Sequence, residues 1–132
     1  MKLLKRVLYA MAAVWAGCGI ALTALPRFVL VNMFGQVPYP DYAYVRVAGA
    51  LSFVTAMFMV LVAQRLEEIW WFAWGFVVAA AATAAIAAAD ALVGKPDGSG
   101  AFLWWLFAAL SAAFTAGLLW GLAKAGIEKP PI

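Results

Sequence analysis

Four apolar runs, each long enough to cross a bilayer, alternate along the chain with short polar or proline-bearing breaks; they cover residues 7–25, 42–66, 70–93 and 102–124. A hydrocarbon core takes about 20 apolar residues per helix, so each run predicts one transmembrane helix. The breaks differ in kind. Pro26 and Arg27 close the first run, and residues 28–34 are too few to cross, which predicts a short interfacial segment with Phe28, Val31 and Phe34 at the bilayer surface. Pro38 and Pro40 exclude a regular helix between them, and Asp41 is placed to cap the second span. Gln64 to Glu68 is a tight polar connection, which makes the second and third helices antiparallel neighbours, and residues 94–100 read as a polar turn. Gly126 and Pro130-Pro131 end the fourth span. The expected fold is an all-α membrane protein, one antiparallel bundle of four transmembrane helices over residues 1–132, with the interfacial segment between helices 1 and 2.

Small residues at four-residue spacing predict where these helices approach one another. The third span presents Gly75, Ala79, Thr83, Ala87 and Ala91, and the fourth presents Ala109, Ala113, Gly117 and Gly121, so the two ridges are expected to meet. The first span adds Ala13, Gly17 and Ala21, more close-approach surface than four helices must use. In the second span, Ala48, Ser52, Thr55, Ala56, Met59 and Ala63 form the inward face, with Phe53, Val54, Met57, Val60 and Leu61 toward lipid.

Composition agrees with a membrane domain: 68% of residues are hydrophobic and 11% charged, where a soluble domain carries about 45–50% and roughly 25%. The net charge of +3 is spread along the chain without a basic stripe, which argues against nucleic acid as a partner. Lys2, Lys5, Arg6, Arg65, Lys124 and Lys129 fall on one side of the expected membrane, against Arg27, Arg46 and Lys95 on the other. Both termini are therefore expected in the cytoplasm. Trp70, Trp71, Trp74 and Trp120 sit at the expected inner boundary and Trp104 and Trp105 at the outer, as interfacial belts; Trp15 falls near mid-membrane, in the core. Ala16-Gly17-Cys18 resembles the end of a lipobox, but Trp15 stands where Leu is usual and residues 19–25 stay apolar, so the first run is read as a span.

The chemistry available is narrow. Without His there is no bis-His haem, imidazole metal site or histidine base, and Cys18 alone makes no intrachain disulfide. The first span lacks the carboxylate of a small multidrug exporter, and the outer loop is too short for a claudin-like protein. One polar constellation remains at the outer boundary: Asp90, Arg46 and Arg27, rimmed by Asn32, Gln36, Tyr39, Tyr42 and Tyr44. An intramembrane charge costs about 2.5–3.5 kcal/mol on insertion scales and needs a partner. The cluster therefore reads as an ion pair tying the second helix to the third, or as an outer-leaflet pocket whose arginine receives an anionic or carbonyl oxygen.

Tyr42-x-x-x-Arg46-x-x-Gly49 at the start of the second span resembles a feature of small bacterial four-span proteins of the DoxX-like kind. The resemblance implies a four-helix bundle accompanying a larger membrane enzyme, and it supplies no catalytic residue. The expected function is a non-catalytic membrane subunit that packs against other membrane helices, holding lipid or pigment at the seam. The alternative is an independent binder or carrier of a lipid, quinone or other amphiphile through the Arg46–Asp90 pocket. No cofactor is predicted; bound lipid fits either reading, and membrane lipids and other subunits are the expected partners.

Overall fold

The structure is a computed structural model that describes residues 1–36, 38, 40–93 and 99–128. These residues are helical, without a strand among them. Helix α1 covers Lys2–Ala24, a π-helical turn follows at Phe28–Met33, α2 covers Ala43–Gln64, α3 covers Leu66–Ile69, a 3-10 turn covers Trp70–Phe72, α4 covers Ala73–Val93 and α5 covers Ser99–Glu128. Four stretches are long and apolar enough to cross a membrane, Lys2–Ala24, Ala43–Gln64, Leu66–Val93 and Phe102–Ile127, which marks the chain as an integral membrane protein.

Each break has a local cause. Pro26 contributes no backbone N–H, so the ladder of α1 stops there. The π-helical turn then ends on Gly35, whose φ of 68° is the left-handed conformation that terminates helices, with the Gln36 N–H reaching back to the Leu30 carbonyl at 2.8 Å. Asp41 falls one residue before the cap position expected of it: Tyr42 is the N-cap of α2 and makes no side-chain cap bond, while the Asp41 carboxylate accepts from the Ala43 N–H at 3.0 Å in an Asx-type turn. The polar link after α2 is itself helical, broken only at Arg65.

Helix α1 is the centre of the packing. It lies along α2 on one side and against α5 on another, while α4 packs on α5; α2 and α4 barely meet, so the tight connection between them does not make them packing partners. Gly19 of α1 sits against Gly49 of α2, where a Cβ on Gly19 would lie 2.6 Å from the Gly49 carbonyl oxygen. This is backbone-to-backbone approach. The expected contact between the ridges of α4 and α5 is replaced by another. Gly117 and Gly121 face Val7 and Leu4 of α1, Ala109 and Ala113 are exposed, and nothing lies near Gly75. The buried stripe of α4 runs through Ala73, Val77, Ala80 and Ala87, so of the expected ridge only Ala87 is fully covered. Gly17 likewise meets nothing.

The core occupies one end of the molecule. Leu4, Leu8 and Met11 of α1 interlock there with Met59 of α2, Trp70, and Leu118 of α5. Trp70 is therefore a core residue, where an interfacial belt position was expected, while Trp71, Trp74 and Trp120 are exposed. The other end is filled differently, because the residues that α1, α2 and α4 turn inward there are small.

Candidate functional site

The candidate site grows out of the Gly19–Gly49 crossing. Because the two backbones touch, the end of α1 is brought onto the start of α2, and Arg46 donates from Nη1 to the Thr23 carbonyl oxygen at 2.9 Å. That carbonyl belongs to the last turn of α1, whose oxygens lack intrahelical donors and carry the negative end of the helix dipole, so a guanidinium is a fitting partner. Thr23 Oγ1 donates to the Gly19 carbonyl at 2.8 Å and also lies 3.4 Å from the Arg46 carbonyl oxygen. The two helices are thus tied by backbone acceptors and one arginine.

Beside this tie lies a recess of about 640 Å3, walled by Pro26, Arg27, Phe28 and Asn32 after α1 and by Tyr42 and Arg46 at the start of α2. Two guanidinium groups line it and, among the described residues, no carboxylate does. Arg46 spends one of its five donors on Thr23, and Arg27 makes no ion pair among the described residues, so donors remain for an anion. Both arginines are exposed. A phosphate or carboxylate at the membrane boundary could be received by both, with Phe28 and Tyr42 beside the apolar part of the same molecule.

Of the polar residues singled out in the sequence, Arg27, Asn32, Tyr42 and Arg46 line this recess, and the other described ones do not. Asp90 is half-buried on α4, does not line the recess and has no ion-pair partner among the described residues, so the expected Arg46–Asp90 pair is replaced by the bond from Arg46 to Thr23. The helical rise gave Asp90 the depth of the arginines, but α4 packs on α5, away from α2. Tyr44 is 88% exposed and does not line the recess, and Gln36 is tied through its backbone to the end of the π-helical turn. Tyr39 lies outside the described residues.

Two participants were not read from the sequence, Gly19 and Thr23. The signal was present: a glycine four residues before a threonine, at the end of an apolar run, is spaced for both to fall on one helix face.

No protein-family model matches the chain, and comparison with curated proteins and with solved structures finds no similar one.

Proposed function

We propose that this protein is a non-catalytic subunit of the bacterial inner membrane, an antiparallel four-helix bundle with both termini cytoplasmic, which docks against the helices of a larger membrane complex through α4. The contact register supports the bundle: Gly19 lies by Gly49 at one end, while Lys2 and Lys5 share a recess with Gln64 and Glu67 at the other. Six basic residues against three support the orientation. The non-catalytic reading rests on composition, with no His and one Cys.

The observation that carries the docking is the outer face of α4. Between Val78 and Leu92 that face exposes Ala81, Ala82, Ala85 and Ala89, with Ile86 as its one large side chain. The lipid-facing stretch of α2 exposes Val47, Leu51, Val54, Phe58 and Leu61 instead. Large side chains fill the space between acyl chains, whereas Ala presents a smooth surface on which another helix can lie at backbone distance. The test is solubilisation of native membranes in a mild detergent. Co-migration with a large complex supports the reading, and a particle of one or a few copies of this chain alone defeats it.

The basic recess favours a second reading, an independent binder of an anionic amphiphile. Two arginines and an asparagine, with no acid among the described lining residues, are a fit for a phosphate headgroup, and Asp90 does not line the recess. Binding of anionic over zwitterionic lipid, lost in Arg27→Ala with folding retained, is the supporting result.

A further inference from the structure

The recess beside the Gly19–Gly49 crossing carries charge that no described residue lining it offsets. Arg27 follows α1 and Arg46 stands in the first turn of α2, so both guanidinium groups lie where the spans Lys2–Ala24 and Ala43–Gln64 meet the membrane boundary. The nearest acid along the chain is Asp41. Its carboxylate accepts from the Ala43 N–H at 3.0 Å, and it does not line the recess.

The donors are arranged for more than one contact. A guanidinium grips an oxyanion best through two parallel N–H donors, as a fork. Arg46 gives Nη1 to the Thr23 carbonyl, and the opposite edge of the group, Nε with Nη2, keeps one fork. Arg27 makes no ion pair among the described residues and keeps its own. Two forks ask for more oxygens than one ordinary headgroup phosphate has free. A phosphodiester has a single charge and two unesterified oxygens, for which two forks compete. A phosphate monoester has three such oxygens and a charge of about −1.5 to −2 at pH 7, so two forks can close on it by sharing one oxygen.

The recess also has an apolar part. Leu25 and Phe28 belong to its lining and are 59% and 51% exposed, at the point where α1 ends. A phosphate free in water would leave these side chains uncovered, whereas the acyl chain of a lipid covers them.

We propose that this recess selects a lipid that ends in a phosphate monoester, of which phosphatidic acid is the simplest, over one whose phosphate is a diester. Arg27 and Arg46 each hold the terminal phosphate through a pair of N–H donors. This rests on the reading of the recess as a site for an anionic amphiphile, adds the class of headgroup to it, and is independent of docking by α4.

The test uses the full chain in a mild non-ionic detergent near neutral pH. It is titrated with phosphatidic acid, phosphatidylglycerol and phosphatidylcholine of one short acyl length, and with inorganic phosphate. Binding is read as saturable protection against thermal unfolding. Phosphatidic acid is expected to bind about tenfold more tightly than phosphatidylglycerol, the worth of one added charge-assisted fork, and both more tightly than phosphatidylcholine. Arg27→Lys keeps the charge and loses the fork at an exposed position, so the tenfold preference should disappear. Lys124→Ala removes an exposed charge at the other end of the molecule, one turn from the Gly121 contact with Leu4, and should leave the preference intact.

Equal binding of phosphatidic acid and phosphatidylglycerol, both above phosphatidylcholine, overturns the monoester and leaves the wider reading of the recess standing. Neither binding above phosphatidylcholine overturns both. Inorganic phosphate that protects as well as phosphatidic acid overturns the lipid as the source. A preference that survives in Arg27→Lys, or is lost in Lys124→Ala, overturns the recess as its place.

Discussion

Gly19 and Gly49 meet backbone to backbone: a Cβ on Gly19 would fall 2.6 Å from the Gly49 carbonyl oxygen, and one on Gly49 would fall 2.8 Å from the Gly19 carbonyl oxygen. Neither clash is with a flexible chain end, so α1 and α2 must part to admit a side chain. Gly19→Ala and Gly49→Ala are each expected to destabilise the fold by about 1–3 kcal/mol in reversible detergent unfolding. Gly17→Ala is the internal control. Nothing lies within 4 Å of the added carbon, so it should be neutral or stabilise by up to about 1 kcal/mol through helix propensity.

Much of the fold was legible because the bilayer imposes length and composition on each element. The spans at 42–66 and 70–93 end within four residues of the helical stretches Ala43–Gln64 and Leu66–Val93. Azimuth was not legible. Small residues at four-residue spacing occur on several faces of α1 and α4, and the sequence does not say which face a neighbour chooses; Gly17 and Gly75 were chosen by none. The same ambiguity misplaced Asp90, whose depth follows from the helical rise but whose direction follows from the packing of α4 on α5.

The α1–α5 seam makes a graded prediction. A Cβ on Gly121 would approach Leu4 Cβ at 2.9 Å and Leu4 Cα at 3.0 Å, whereas one on Gly117 meets the Val7 Cγ2 at 3.1 Å. The end of the Val7 side chain has more freedom to yield than the root of Leu4. Gly121→Ala should therefore cost about 1–3 kcal/mol and Gly117→Ala less than half of that, in the same unfolding assay.

Arg46 links two helices through one charge-assisted bond to the Thr23 carbonyl. Interhelical hydrogen bonds in membranes average about 0.6 kcal/mol and reach about 1.7, so Arg46→Ala is expected to cost about 1 kcal/mol and leave the chain folded. Arg46→Lys should recover part of the loss, since an ammonium can still donate to that oxygen. Arg27→Ala, at an exposed group without an ion pair among the described residues, should be silent in the same measurement.

The exposed alanines of α4 separate folding from association. Ala82→Leu and Ala85→Leu add bulk at exposed positions, where no described residue opposes it, so thermal stability of the isolated protein should change by no more than about 0.5 kcal/mol. A helix lying on that face would be pushed away. On the proposed docking, the expected outcome is loss of co-migration with a larger complex for the double variant, checked by native electrophoresis of detergent extracts. An unchanged complex would move the docking surface elsewhere.

Asp90 and Arg46 offer the sharpest check on how charge is arranged here. A pair in contact would show coupling: each single substitution destabilises, and the double substitution costs less than the sum. Arg46 instead bonds to the end of α1, and Asp90 stands on a helix that barely meets α2. Asp90→Asn and Arg46→Ala should therefore add within about 0.3–0.5 kcal/mol in a double-mutant cycle. Asp90→Asn breaks no ion pair among the described residues, so the single variant should change stability by no more than about 0.5 kcal/mol. A coupling of about 1 kcal/mol or more would restore the ion pair and require α2 and α4 to close on one another.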